Sequence, residues 1–228
     1  MSKLKKIAFI VQSRLNSERV PGKMLRPFAD KSLFEIVLDK LVDSTIIPKD
    51  QIYASVNEPE LIDVALSKKI NIFKRSYESA NNDNDIKKIF EWHNKLPYEY
   101  VIIVSACNPL LKISTIDNFV KTFVEQEEDS LFGVIEKKQY YWNKKGVLVT
   151  PWPEGNTLMN TKAVEATYEA AHVLYASKID LISEDKFMGD YTKPGGIKLF
   201  KMNELETFDI DYEWQFEVGE LLYKKLYC

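Results

Sequence analysis

The segment Ile7-Ala8-Phe9-Ile10-Val11-Gln12-Ser13-Arg14-Leu15-Asn16-Ser17-Glu18-Arg19-Val20-Pro21-Gly22-Lys23 changes character once along its length. It starts as an unbroken apolar run, 7–11, and continues as a polar loop that carries Arg14, Arg19, Lys23, two serines and a Pro-Gly turn. An apolar run of this length bounded by turn residues reads as a buried strand that delivers the loop to one point in space. The cations of that loop suit a triphosphate. Arg offers a planar fork that matches phosphate oxygens two at a time, Lys adds a compact charge, and Gly22 lets the backbone come close to a ligand. Leu33, Ile36, Val37 and Leu41 then fall at helical spacing within 25–41, so a helix N-terminus is expected to add its own attraction for anions. The loop is not a Walker A sequence, because the glycine pair and the Lys-Ser/Thr ending are missing. A basic, solvated surface loop is the plain alternative.

Outward from this segment the chain alternates strand and helix. Strands are expected at 52–56, 70–73 and 100–104, and helices at 33–41, 61–69, 85–93 and 115–125. Tyr100-Val101-Ile102-Ile103-Val104 is the continuous apolar kind of strand that is buried on both faces of a parallel sheet. Such alternation implies βαβ units in an open, mainly parallel, twisted α/β sheet, with ligands at the carboxyl ends of the strands. From residue 131 the pattern changes to short, antiparallel-looking strands through Thr150, followed by the Pro-rich loop 151–156. No internal repeat and no low-complexity segment interrupts it.

Near the other end, Phe208-Asp209-Ile210-Asp211-Tyr212-Glu213-Trp214-Gln215-Phe216 sets two carboxylates two residues apart, ahead of a helical pattern. In extended backbone, residues i and i+2 point the same way, so Asp209 and Asp211 can converge on one hard cation. Mg²⁺ is usually held by one or two carboxylates plus substrate phosphates. The alternative for Asp211 is a helix N-cap.

The order strand, Arg, Ser, Arg, Pro-Gly-Lys resembles the signature of the sugar-activating cytidylyltransferases, above all the acylneuraminate (CMP-sialic acid) synthetases; spore-coat-polysaccharide cytidylyltransferases carry a similar loop. Asp209-Ile210-Asp211 is similar to the Asp-Ile-Asp of the acylneuraminate enzymes, where the two Asp serve the metal. Ala171-His172-Val173-Leu174-Tyr175 stands where the family has an Asn-Gly-Ala-Ile-Tyr-like strand, and Lys186-Phe187-Met188-Gly189 resembles its Phe-x-Gly. The likeness spans nearly the whole chain, close at the ends and loose in the middle. It implies a Rossmann-like nucleotidyltransferase, one domain over 1–228, with an insertion at 131–170 for sugar binding and dimerisation. It further implies CTP and a 2-keto sugar acid as substrates, Mg²⁺ as cofactor and a homodimer. Arg14, Ser17, Arg19 and Lys23 would hold the triphosphate with Ser13, and Asp209 and Asp211 the metal. Arg14, Lys23 and Asp211 would be the catalytic set. Arg75-Ser76-Tyr77-Glu78 resembles the family's Arg-Pro-x-Glu, with Asn82 beyond it facing the pyrimidine; Asn108 in Ser105-Ala106-Cys107-Asn108-Pro109-Leu110 and His172 would meet substrate.

Departures from the family pattern cluster. Cys107 stands where Kdo-type and spore-coat-type enzymes have an Asp, and a thiol is no ligand for a hard metal; it is read as a packed side chain. Met24 follows Gly-Lys where acylneuraminate synthetases show Asn, Ala171-His172 replaces Asn-Gly, and Thr161-Lys162 replaces an Arg-Gln-like pair. Together these point to a sialic-acid-like nonulosonate other than N-acetylneuraminate. Two alternatives stay open. Asp83-Asn84-Asp85 offers the Asp-x-Asp of a sugar-nucleotide glycosyltransferase, although Asp85 is also a simple helix N-cap. A non-catalytic, nucleotide-binding paralogue is the other.

Composition bounds the rest. With 228 residues, 45% hydrophobic and 29% charged, the chain is long enough for one large α/β domain. A net charge of −3 argues against a nucleic-acid polymer as partner, since phosphate backbones call for a basic face. No apolar run approaches membrane-spanning length, and Met1-Ser2-Lys3-Leu4-Lys5-Lys6 leads into the first strand without a cleavage site, so no membrane and a cytoplasmic location are expected. Cys107 and Cys228 give no disulfide framework. His93 reads as packed, and Trp142, Trp152 and Trp214 as core or dimer contacts.

Overall fold

The computed structural model describes residues 3–82 and 84–228. In chain order the strands are β1 (Ile7–Gln12), β2 (Pro27–Phe28), β3 (Lys31–Ser32), β4 (Ile52–Val56), β5 (Asn71–Lys74), β6 (Tyr100–Val104), β7 (Ser130–Lys137), β8 (Thr167–Lys178) and β9 (Lys198–Lys201). The helices are α1 (Leu33–Asp43), α2 (Pro59–Ser67), α3 (Tyr77–Ala80), α4 (Ile86–Ile89), α5 (Ile113–Glu125), α6 (Asp180–Ser183) and α7 (Glu213–Tyr227).

A seven-stranded sheet runs β5-β4-β1-β6-β8-β7-β9. β1 pairs in parallel with β4 and β6, β4 with β5, and β7 with β9, while β8 alone is antiparallel to its neighbours β6 and β7. The mainly parallel, Rossmann-like α/β sheet expected from the sequence is therefore what forms. The chain steps from β1 outward through β4 and β5, then returns to β6 on the other side of β1. The carboxyl ends of β1 and β6 thus flank the point where strand order reverses, the place at which open α/β sheets hold ligands.

Burial explains why β1 is central. Its first five residues are wholly buried, and with a side-chain period of two they split between faces. Ile7, Phe9 and Val11 enter the larger core with α1 and α5; Ala8 and Ile10 enter a smaller one with Phe73, Trp92, Tyr175 and Met188. α5 supplies Ile116, Phe119, Val120 and Phe123, one helical stripe.

Several elements differ from expectation for identifiable reasons. A β2–β3 hairpin precedes α1, whose N-terminus is closed by a capping box in which Ser32 Oγ accepts from Glu35 N and the Glu35 carboxylate accepts from Ser32 N. That helix end is satisfied from within, so it offers no anion site to the loop. The helix expected at 85–93 stops at Ile89 and resumes as a 3₁₀ turn, Glu91–Asn94, because Trp92 turns into the smaller core. The short strands expected after residue 131 are one eight-residue strand, β7, followed by an excursion over 138–166 with a single antiparallel bridge, Trp142 to Leu148. β8 is twelve residues long and bulged: pairing to β7 breaks between Phe132 and Val134, and His172 sits there at φ 55°. Trp142, Trp152 and Trp214 are about half exposed rather than core. No helix among the described residues is long and apolar enough to cross a membrane.

Candidate active site

β1 ends in Gln12, and the loop beyond it is folded on its own backbone. Leu15 N donates to the Glu58 carboxylate at 2.8 Å, Lys23 N to Val20 O at 3.3 Å and Arg26 N to Gly22 O at 3.0 Å. Gly22 takes φ 67°, and a Cβ there would meet nothing within 4 Å, so the turn rather than crowding calls for glycine. This winding brings Ser13, Arg14, Ser17, Arg19 and Lys23 around one cavity of about 350 Å³, closed by Gln12, Glu18, Met24 and Cys107. A second cavity of about 270 Å³ shares Gln12, Ser13 and Arg14 with it and adds Arg75, Ala80, Asn82 and Ile89.

The segment bearing Asp209 and Asp211 is bound to the β6 loop by several independent contacts. Ile210 N donates to Cys107 O at 3.0 Å, Asn108 Nδ2 to Thr207 O at 3.1 Å, and Lys112 N to the Glu206 carboxylate at 3.1 Å. Lys23, nearly buried, crosses to the same segment by donating to Ile210 O at 2.5 Å, with its Nζ 3.7 Å from Asp211 Oδ1. Arg19 Nη2 donates to that same Asp211 oxygen at 2.6 Å. The N-cap of α7 is Tyr212, and Gln215 Oε1 accepts from both Asp211 N and Tyr212 N at 2.8 Å. Asp211 is therefore not spent on capping; its carboxylate faces the loop cations.

Asp209 is largely buried and its Oδ1 has no hydrogen-bond partner. Burial, and then the Asp211 charge, push its carboxyl above the usual carboxylate range, with Lys23 pulling against them. Ser13 Oγ is likewise buried and unpartnered. Unsatisfied buried polar atoms are costly, and these two lie at one end of the sheet. Asp209 and Asp211 together form a carboxylate pair of the kind that holds Mg²⁺ when substrate phosphates complete its shell. No cluster of three or more acidic, His or Cys ligands exists among the described residues.

Other residues named from sequence are spent differently. Arg75 is buried, with Nε donating to Ser79 Oγ at 3.2 Å and Nη2 to Ser79 O, and burial lowers it to about 10. It lines the second cavity while its fork braces α3. Asn82 Oδ1 accepts from Asn84 N and Asp85 N, a local turn. Asn108 is buried, directed at the Thr207 backbone rather than into either cavity. His172 lies on the β8 bulge, its Nδ1 2.8 Å from Tyr175 Oη. Asp83 lies outside the described residues. Asp85 caps α4 by accepting from Lys87 N and Lys88 N, so it carries no glycosyltransferase reading. Cys107 lines the first cavity with its thiol pushed up by burial, as a packed side chain. Gln12 lines both cavities, and the only mark of this in the sequence is a polar side chain closing a wholly apolar strand.

The cytidylyltransferase family model matches residues 8–225. The chain belongs to the cytidylyltransferase family. It is 22% identical over 227 residues to N-acylneuraminate cytidylyltransferase A of Danio rerio, covering 96% of this chain and 51% of that protein. Over 129 residues it is 25% identical to the spore coat polysaccharide biosynthesis protein SpsF of Bacillus subtilis, covering 54% of this chain and 52% of that one. The chain thus spans about half the length of the curated relatives it matches. Among solved structures, a CMP:2-keto-3-deoxy-manno-octonic acid synthetase complexed with CTP superposes with TM-score 0.69 at 11% identity, covering 96% of this chain and 99% of that one. A 4-diphosphocytidyl-2C-methyl-D-erythritol synthase from Anaerococcus prevotii gives TM-score 0.70 at 12% identity, covering 98% and 99%. At those identities the structural likeness shows the cytidylyltransferase fold alone.

Proposed function

We propose that this cytidylyltransferase transfers CMP from CTP to the anomeric hydroxyl of a 2-keto sugar acid, a sialic-acid-like nonulosonate, and releases pyrophosphate. The observation that carries this reading is the convergence of Arg14, Ser17, Arg19 and Lys23 on one cavity, with Lys23 and Arg19 also bound to the Asp209–Asp211 segment beside it. The sugar hydroxyl oxygen attacks the α-phosphorus and gives up its proton to water, the bond from that phosphorus to the bridging oxygen breaks, and pyrophosphate leaves with that bond's electron pair. Such a step asks for positioning and charge stabilisation more than for covalent chemistry. Arg14 and Lys23 balance the negative charge that builds on the phosphoryl oxygens, and Arg19, Ser17 and Ser13 orient the triphosphate. Asp209 and Asp211 would hold Mg²⁺, which neutralises phosphate charge when bound. The unpartnered Asp209 oxygen supports that fit.

Asn82 on the second cavity suits a pyrimidine contact, with Arg75 and Asn108 acting through the backbones they hold. His172, exposed on its bulge, is the residue assigned to the sugar acid. The 138–166 excursion, part of the 131–170 insertion, exposes Trp142, Val147, Val149, Leu158 and Met159. That apolar surface supports its reading as the sugar-binding and dimer-forming part. Pyrophosphate release assayed with CTP, Mg²⁺ and a series of 2-keto sugar acids tests the reaction. Release that needs both a nonulosonate and the metal is expected, with a higher kcat/KM for deoxy-amino nonulosonates than for N-acetylneuraminate. Release that no 2-keto acid stimulates would remove the acceptor assignment.

A further inference from the structure

Gln12 stands on the wall common to the two cavities, at the carboxyl end of the central strand. Its amide has one orientation. Trp92 is fully buried, and the indole N–H can only donate; its Nε1 lies 3.0 Å from Gln12 Oε1. Ser55 Oγ, also fully buried and opposite Gln12 in the β1–β4 register, donates to the same oxygen at 3.3 Å. With the carbonyl held by two donors, the NH₂ group faces the other way. Gln12 Nε2 meets no protein acceptor among the described residues. Beside it, Ser13 Oγ is buried and unpartnered. A fixed donor and an idle hydroxyl on a shared cavity wall are groups built to meet a ligand.

The two cavities differ in chemistry. The first holds Arg19 and Lys23, and Arg14 stands on the wall between the two. The second offers Ala80 and Ile89, with Arg75 turned toward Ser79, which is the surface a flat, uncharged ring requires. Resting on the CTP reading above, we propose that Gln12 Nε2 selects cytosine over uracil by donating to ring N3. In cytosine N3 is an acceptor; in uracil it carries a hydrogen, so the fixed NH₂ would face another donor. A site that hydrogen-bonds one ligand rejects the analogue that leaves its donor unpaired. Trp92 is the positioning residue that keeps the amide from flipping.

Gln12→Glu tests this with the fold preserved, since one carboxylate oxygen still accepts from Trp92 and Ser55 while the other replaces a donor by an acceptor of the same size. The added charge weakens both triphosphates alike, so the ratio of their dissociation constants is the readout. Calorimetric titration with CTP and UTP in Mg²⁺ is expected to give wild type a preference for CTP of about tenfold or more, falling to within about threefold of parity in Gln12→Glu. Trp92→Phe keeps the ring packing and frees the amide; it is expected to lose most of the preference while retaining triphosphate binding. A wild-type preference for CTP that both variants leave unchanged overturns the role of Gln12 and spares the CTP reading. A wild type that binds neither nucleotide overturns the CTP reading, and this role with it.

Discussion

Two side chains show how differently this fold treats buried charge. Asp209 is held with an idle oxygen and a carboxyl raised by burial. Its ionised form costs native stability, so that cost grows as pH climbs through the raised native value. Asp209→Asn removes the charge at nearly constant shape; chemical denaturation at pH 8 is expected to find stability within about 1 kcal/mol of wild type or above it, while Mg²⁺-dependent turnover is lost. A variant that turns over normally would remove Asp209 from the site. Lys40 is the opposite case: it is buried on α1, donates to Pro109 O at 2.5 Å, and burial lowers it to about 7. Between pH 7 and its ordinary value the unfolded chain binds the proton and the native chain sheds it, so stability contributed by Lys40 rises with pH there. Lys40→Met is expected to flatten that rise by a few kcal/mol; urea unfolding at pH 7 and pH 9 reads it, and an unchanged slope would contradict it. Arg14, Arg19 and Lys23 were legible because one short loop carries all three. Arg75 and Asn108 were not, because a polar residue looks the same in sequence whether it faces a cavity or satisfies a buried backbone group.

Among elements, the placement of the acidic segment against α7 decides the site. Gly219 lies where a Cβ would meet Ile210 Cδ1 at 2.7 Å and Phe208 Cε1 at 3.1 Å, the residues on either side of Asp209. Gly219→Ala gains about 1 kcal/mol of helix propensity and costs about 1–3 kcal/mol of overpacking. The sum is a net loss of about 0–2 kcal/mol, so Tm is expected to fall by less than about 8 °C. The displaced segment does not recover as easily: a shift on the order of 1 Å in a positioning element costs up to about a hundredfold in rate, and kcat/KM is expected to fall tenfold or more. Full activity with an unchanged Tm would show that the segment tolerates the methyl. The elements themselves were legible where periodicity was strong, as in β1, β6 and α5. They were misjudged where tertiary contacts overrode pattern. Trp92, bound to Gln12, breaks the helix expected at 85–93, and the β8 bulge at His172 follows from pairing with β7 that no local pattern encodes.

At the scale of the whole molecule, the cations, the hydroxyls and the carboxylate pair come from sequence positions nearly two hundred residues apart and meet only because β1 and β6 are neighbours at the reversal of strand order. In the proposed function this meeting point binds CTP through Arg14 and Lys23. A ligand that binds only the native state stabilises it by about 2.7 kcal/mol when present at a hundred times its dissociation constant, so thermal unfolding in Mg²⁺ with each of the four nucleoside triphosphates reads which of them the site binds. The largest rise in Tm is expected with CTP, and Arg14→Ala combined with Lys23→Ala is expected to abolish it while leaving the unliganded fold cooperative. A larger rise with ATP or UTP, or a CTP shift undiminished in the double variant, would contradict it.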